Sequence, residues 1–470
     1  MNPYAKALRS IGEQIVEQSP PFRPIKASIH GGMEHFEVAN VTSFTRNGER
    51  VSVTLNINTG KLNLIDLGSP FLEPIAYPLL FNCGEQGWGI CSKNQPYNSI
   101  KYLQYLRSRI LMPDRLNDNT LLMLPSAENP QQLIICSRFQ AFARLCQVYM
   151  VDMVSRNTDL VLRWIRTHQG LLLNRSQQHS APLEEFDDES VIDETDEINA
   201  RQPECVQSED DNAVYLPSSF HGGRRHLRSC ALSALVLLSE LGRATGFLTL
   251  TCNTEWSEIK SQLLFGQTAF DRPDIVCAVF QKRKIALLHN LRNGVYFPSK
   301  VVYVMHVIEF QKRGLPHAHI VFRLADHLPP ETTDEALANY CDNMVCAEMP
   351  ELPAEDDISE DAVTQRKYVD LVKQYMIHHC AVAVNGCKQS ADGQCKRRYS
   401  DTSDPVNKTY FKNGYPVYRR RSDKDRRVVP HNRLILLDWN GHANLEFASS
   451  AKSIMYLYKY LYKGSKPVSM

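Results

Sequence analysis

The feature that most restricts how this chain can fold lies near its middle. Between Glu184 and Asp211 the sequence carries 13 acidic residues and one basic residue, Arg201. Such a segment cannot bury enough apolar surface to offset the entropy of ordering it, so residues 183–212 are expected to form a disordered linker. No continuous core can run through it. The 470 residues therefore divide into an N-terminal module, 1–182, and a C-terminal domain, 213–470. Each part is long enough to build its own hydrophobic core.

The linker also changes the meaning of the net charge. The formal total is +1, but the linker holds −12 and the remainder +13. Between Lys396 and Arg433 there are 12 Lys/Arg and four Asp, with Tyr399, Tyr410, Phe411, Tyr415 and Tyr418 interleaved. Cations among rings suit a single nucleic-acid strand, where phosphates meet the charges and bases stack on the rings. A solvated basic loop has the same composition, and both readings stay open from charge alone. The 13 cysteines include no C-x-x-C pair, which argues against a secreted disulfide scaffold and for a reducing compartment. The longest apolar run, Ala231–Leu238, is far short of the roughly 20 residues that span a bilayer. Met1–Gln18 lacks an apolar signal-peptide region. An intracellular protein without a membrane segment is expected.

Hydrophobic periodicity supplies a coarse element order. In the N-terminal part, Val51–Ile57 alternates like a strand and Ser137–Ile165 carries apolar residues at helical spacing. That suggests a small mixed α/β module, a candidate DNA-binding unit. In the C-terminal part, helices are expected over Arg228–Leu241, Asp274–Leu291, around Glu360–His378 and over about Ser450–Lys463. Strands are expected over Gly246–Cys252, Val301–Phe310, His317–Leu324 and Arg433–Trp439. Helices interspersed with antiparallel strands indicate an α+β domain.

Two groups of residues carry chemistry. His317 and His319 flank Ala318, and residues i and i+2 of a strand share one face, so both imidazoles can reach one metal ion. Glu309 and Gln311 end the preceding strand, and hairpin pairing would bring them alongside. Two imidazoles plus one oxygen donor leave coordination positions open, which suits a catalytic divalent ion. Two strand histidines also occur by chance at a sheet edge. The second group is MYLYKYLYKG, Met455–Gly464. Tyr456 and Tyr460 are i, i+4 and share a helix face, and Lys459 and Lys463 each follow one of them by three residues. A phenol titrates near pH 10, so it needs activation to attack a phosphate. A tyrosine-rich helix that only packs its rings would have the same spacing. A third cluster, His379, Cys380, Cys387 and Cys395, offers the ligand types of a structural Zn²⁺ site at spacings that fit no standard finger.

The order of these motifs is specific. YLPSSFHGG (Tyr215–Gly223), FLTLTCNTEWSEI (Phe247–Ile259), DRPDIVCAVF (Asp271–Phe280), HVIEFQKRGLPHAHI (His306–Ile320), NGYPVYRRR (Asn413–Arg421) and SIMYLYKYLYKG (Ser453–Gly464) follow one another. Upstream stand NPYAKALRS, YPLLFNCGEQGW (Tyr77–Trp88) and RWIRTHQ (Arg163–Gln169). Together they resemble the N-terminal and replication-initiator (HUH endonuclease) region of Helitron rolling-circle transposases. The resemblance implies an HUH-like antiparallel sheet flanked by helices, and a nickase and strand transferase acting on single-stranded DNA at transposon ends and target. It implies that His317 and His319 bind Mg²⁺ or Mn²⁺ with Glu309 or Gln311 as third ligand. Tyr456 and Tyr460 match the two nucleophiles, which form a 5′-phosphotyrosyl link. Lys463 and Lys459 are candidates for steadying the phosphate or the leaving oxygen. Thr249 and Thr251 lie in the family's first motif and are candidates for DNA contact, as are Arg397, Arg398, Arg419, Arg420 and Arg421 of the basic segment.

Helitron transposases usually continue into a helicase. No G-x-x-x-x-G-K-[ST] phosphate loop occurs in these residues, so the expected helicase acts in trans or lies in a missing C-terminal region. Arg419–Arg421 and Arg426–Arg427 are compatible with nuclear entry, although a DNA-binding loop accounts for the same residues. Two other readings remain at this level. One is an inactive single-stranded DNA-binding module from a decayed or domesticated transposase, and the other a metal-dependent hydrolase that makes no tyrosine link.

Overall fold

The computed structural model describes residues 28–29, 36–38, 54–57, 61–64, 67–89, 101–116, 119–172, 214–310, 314–329, 332–379, 405–412 and 415–448. The chain forms two compact units, Met1–Tyr215 and Leu216–Met470.

The first unit opens with four short antiparallel strands in sequential order, β1 (Ser28–Ile29), β2 (Phe36–Val38), β3 (Thr54–Ile57) and β4 (Lys61–Leu64). Helices α1 (Leu72–Ala76) and α2 (Tyr102–Leu111) follow, then a hairpin of β5 (Met123–Pro125) and β6 (Leu133–Ile135). The helical stretch expected over Ser137–Ile165 is two helices, α3 (Arg138–Ala141) and α4 (Ala143–Thr167). Ser137 starts the first with a reciprocal capping box to Gln140, satisfying two backbone donors that a helix start otherwise leaves open. The break falls at Ala143, whose φ is +39°.

Cys146, Tyr149 and Met153 line one face of α4 and meet Tyr77, Leu80, Phe81, Tyr102, Tyr105 and Phe139 in the core. Within this core lies a charge pair. Arg156 donates to Glu73 at 2.7 Å, and both side chains are almost wholly buried. The carboxylate also accepts from the hydroxyls of Tyr105 (2.9 Å) and Tyr149 (2.8 Å) and from the Trp88 amide (3.2 Å). The guanidinium donates in turn to the carbonyls of Leu67, Ser69 and Trp88. Every charge leaving water is thus met by oriented partners, which is what makes a buried pair tolerable.

The second unit is built on a four-stranded antiparallel sheet in the order β12-β7-β9-β8. Its elements are α5 (Arg224–Leu241), β7 (Gly246–Thr251), α6 (Ser257–Lys260), α7 (Pro273–Arg292), β8 (Val301–Phe310) and β9 (Pro316–Leu324). They are followed by α8 (Asp334–Met344), α9 (Glu360–Tyr375), a hairpin of β10 (Tyr410–Lys412) and β11 (Tyr415–Val417), α10 (Arg433–Trp439) and β12 (Ala443–Phe447). β9 is central and buried at every position but Arg323. At Gly246 a Cβ would stand 2.4 Å from the Phe322 ring, so the two strands close here only because that residue has no side chain.

One face of the sheet is largely apolar, with Leu248, Leu250, Ala318, Ile320, Phe322, Ala443 and Leu445 essentially inaccessible; His306, opposite Ile320, is a polar exception and lies 3.1 Å from Lys284 Nζ of α7. Helices α7 and α10 lie against the sheet and each other, joined by edge-on contacts of Trp439 with Trp256 (5.0 Å) and Phe280 (5.5 Å). The Trp439 indole donates to the Thr251 carbonyl at 2.9 Å. The other face begins apolar, where Leu238 of α5 and Met305 pack against Ala244, Phe247, Tyr303, Val321 and Ala448.

One expected strand is a helix. RLILLDW, Arg433–Trp439, forms α10 instead. The Asn432 side chain accepts from the amides of Leu434 and Ile435, and Asn440 closes the helix in the left-handed region at φ 52°. Ile435, Leu436 and Trp439 then share the buried side, a helical spacing that a short apolar run conceals. The helix expected over Ser450–Lys463 lies outside the described residues.

Glu73→Ala would leave the Arg156 charge in the core without its counter-ion. A loss of about 3–5 kcal/mol is expected, seen as early unfolding of the first unit in denaturant. A transition within 1 kcal/mol of wild type, on the order of an exposed pair, would contradict this account of the core.

Candidate functional site

The site is set by strand register. Because side chains alternate along each strand, Phe247, Thr249 and Thr251 share one face of β7, and Leu248 and Leu250 the other. β9 pairs with β7 so that Thr251 stands opposite His317 and Thr249 opposite His319. On the other side of β9, Glu309 of β8 stands opposite His317. Residues directly opposite in an antiparallel pair point the same way. Two imidazoles, two threonine hydroxyls and one carboxylate therefore occupy one surface, just where the apolar cluster of that face stops.

The hydroxyls hold the rings. Thr249 Oγ1 lies 3.2 Å from His319 Nδ1, and Thr251 Oγ1 lies 3.1 Å from His317 Nδ1. Both contacts use Nδ1, which directs the Nε2 atoms away from β7. His319 Nε2 is 3.4 Å from Glu309 Oε2. The Phe247 ring lies parallel to His319, with centroids 5.8 Å apart, and limits its rotation. Both histidines are buried. Burial, then the neighbouring His442 and His319, push the His317 pKa down from 6.5 to about 4, against a smaller opposing pull from Glu309. His317 is thus a neutral imidazole at physiological pH, the form in which histidine serves as a ligand.

The fourth strand adds residues that sequence reasoning missed. His442 precedes β12, and its Nδ1 lies 3.2 Å from the same Thr251 hydroxyl that meets His317. Asn444 stands opposite Thr249, is 7% exposed, and donates to Glu446 at 3.1 Å. Its Oδ1 is buried and accepts no hydrogen bond from the described residues. The signal was present as the i, i+2 spacing of His442, Asn444 and Glu446, the same period that marks His317 and His319.

Other candidate residues are placed as follows. Thr249 and Thr251, candidates for DNA contact, spend their hydroxyls on imidazoles. Arg419 and Arg421 both bind Glu348, at 3.2 and 2.6 Å, and Arg419 also faces Asp342 at 3.6 Å. Arg420 donates to the Val428 carbonyl at 3.0 Å. These arginines are engaged within the fold, so a phosphate must compete with Glu348 for two of them. His379 is exposed. Gln311, Cys380, Cys387, Cys395, Arg397, Arg398, Tyr456, Lys459, Tyr460 and Lys463 lie outside the described residues. Among the described residues, no three His, Cys, Asp or Glu side chains are grouped as a ready-made metal cage. Among them, too, no helix is long and apolar enough to cross a membrane.

Residues 132–322 match the family model of the Helitron helicase-like domain at the N-terminus. That stretch is Helitron-related. It begins beside β6 and ends in β9, so it contains Thr249, Thr251, Glu309, His317 and His319 but neither β12 nor the tyrosine segment. No curated protein matches the chain.

The buried His317 and His431 and the half-buried His327 make the fold acid-sensitive. The pKa values of His317, His327 and His431 are each lowered by burial to about 4. Between pH 6.5 and 4 the unfolded chain therefore binds more protons than the native one, and stability rises with pH across that window. This contribution is complete above pH 6.5 and is lost as pH falls toward 4. Thermal unfolding of the metal-free protein should show a lower midpoint at pH 5 than at pH 7. A flat profile between those values would mean that the imidazoles are solvated.

Proposed function

We propose that the chain is a metal-dependent single-stranded DNA nickase and strand transferase of the rolling-circle transposase type. The observation that carries this reading is the pair of buried imidazoles held by their Nδ1 atoms against threonine hydroxyls, beside a carboxylate, in a Helitron-related segment. The donor set fits a divalent ion. His317 and His319 supply nitrogen, Glu309 supplies oxygen, and the buried Asn444 Oδ1 is a further oxygen on the same sheet face. Mixed imidazole and oxygen ligation favours Mn²⁺ over the harder Mg²⁺. Gln311 remains an alternative third ligand on sequence grounds.

When bound, the ion would polarise the scissile phosphodiester and offset the charge that develops on it. The chain's own residues do the rest. Thr249 and Thr251 orient the rings, Phe247 restrains one of them, and burial keeps His317 unprotonated. Tyr456 or Tyr460 attacks phosphorus through its phenolic oxygen after giving up its proton to solvent. The new bond is tyrosyl oxygen to phosphorus, the bond broken is phosphorus to the 3′-oxygen, and that oxygen leaves as a 3′-hydroxyl. The covalent link conserves the ester bond energy for rejoining, so the cut needs no ATP. A second tyrosine permits a second cleavage while the first end is held. Strand opening is left to a helicase partner, in trans or C-terminal to these residues.

Incubation with single-stranded oligonucleotides and Mn²⁺ should yield a covalent protein–DNA adduct on a denaturing gel. The double substitution Tyr456→Phe/Tyr460→Phe should abolish it, and His317→Ala should reduce it by about 100-fold or more while DNA binding persists. An adduct unchanged by the tyrosine substitutions would overturn the nucleophile assignment. Cleavage without attached protein would indicate a hydrolase, and salt-dependent binding with no cleavage in any divalent metal an inactive binding module.

A further inference from the structure

One hydroxyl in the site serves two imidazoles. Thr251 Oγ1 lies 3.1 Å from His317 Nδ1 and 3.2 Å from His442 Nδ1. The backbone amide of Thr251 also donates to the His442 carbonyl at 3.0 Å, so the end of β12 is tied to β7 at this residue by main chain as well as side chain. His319 has no such arrangement, because the residue paired with Thr249 on the β12 side is Asn444.

The proton count of this triad restricts what each ring can be. A threonine hydroxyl has one proton to donate and lone pairs to accept with. It can donate to only one of the two Nδ1 atoms, so the other must carry a proton and donate to the hydroxyl. Two neutral chains satisfy this. In the first, His317 donates from Nδ1 to Thr251, and Thr251 donates to His442 Nδ1. His317 then presents its Nε2 lone pair, and the His442 proton is on Nε2. In the second the direction reverses, and His317 carries its proton on Nε2, where it cannot act as a ligand. The two rings are therefore tautomerically opposed through one hydroxyl.

We propose that His442 is a positioning residue: by accepting the Thr251 hydroxyl proton it holds His317 in the tautomer protonated on Nδ1, with the Nε2 lone pair available as a ligand. Without His442, the Thr251 hydroxyl is released and can donate to His317 Nδ1, which admits the tautomer protonated on Nε2. The metal-binding arm of this inference rests on the function proposed above. The tautomer arm does not, because it concerns the metal-free protein.

The full chain labelled with ¹⁵N-histidine permits a direct test. In metal-free wild type, the nitrogen shifts of His317 should report the Nδ1–H tautomer. In His442→Leu they should move toward the Nε2–H tautomer, and Mn²⁺ affinity by calorimetry should fall by about 10-fold or more, the range seen when partners of metal ligands are removed. His442→Asn, whose carbonyl oxygen can accept from Thr251, should restore both. Thr251→Ser should behave as wild type and Thr251→Val should weaken Mn²⁺ binding, which keeps the test valid if His442→Leu folds poorly. An unchanged His317 tautomer in His442→Leu, or His442→Asn behaving as His442→Leu does, would falsify the relay. Failure of wild type to bind Mn²⁺ would instead refute the metal reading and leave the tautomer result to decide the relay alone.

Discussion

The register between β7 and β9 is the constraint on which the second unit depends. With Thr251 opposite His317 and Thr249 opposite His319, each buried ring meets a hydroxyl. A slip of one residue would turn both imidazoles to the opposite face, among Leu248, Leu250 and the packed side chains of α7 and α10. Burying two imidazoles there without hydrogen-bond partners would cost several kcal/mol. The apolar face therefore selects the register, and the register assembles the site. The same logic explains why Trp439 matters at a distance: its indole fixes the Thr251 carbonyl from the packed face while the hydroxyl of that residue holds His317 on the other.

Charge is handled locally throughout the molecule. In the first unit, Glu73 and Arg156 survive burial because six other backbone and side-chain groups converge on them. In the second, Glu348 is 9% exposed and takes up both Arg419 and Arg421. The basic segment thus presents less free positive charge than its composition suggests. An arginine held by a buried carboxylate still contributes to shape and hydrogen bonding, but much of its field is cancelled at short range. Counting Lys and Arg along the chain overestimates the attraction for phosphate wherever such pairs form.

Much of the second unit was legible from local pattern. The long strands over Val301–Phe310 and Pro316–Leu324 are rich in β-branched and aromatic residues and flank a turn containing Gly314, whose φ is +81°. Helix α7 opens with Pro273 in its first turn, a position where proline is pre-organised for a helix. RLILLDW was not legible, because seven residues with four consecutive apolar positions satisfy either period. Capping decided it, through Asn432 at one end and the left-handed Asn440 at the other. The hydroxyls of Thr249 and Thr251 were equally ambiguous, since a strand threonine can face a ligand or a neighbouring side chain.

The sequence by itself determined which residues share a strand face and which strands are joined by a short turn. That is enough to place His317 and His319 together and to bring Glu309 beside them, because alternation and hairpin geometry are local properties of the backbone. Only the tertiary structure decided that β12 pairs with β7. That pairing carries His442 across 191 residues to the hydroxyl that already serves His317. Periodicity fixes the face a residue occupies, but the choice of neighbouring strand depends on burying α10 and both sheet faces at once, and no local pattern contains that information.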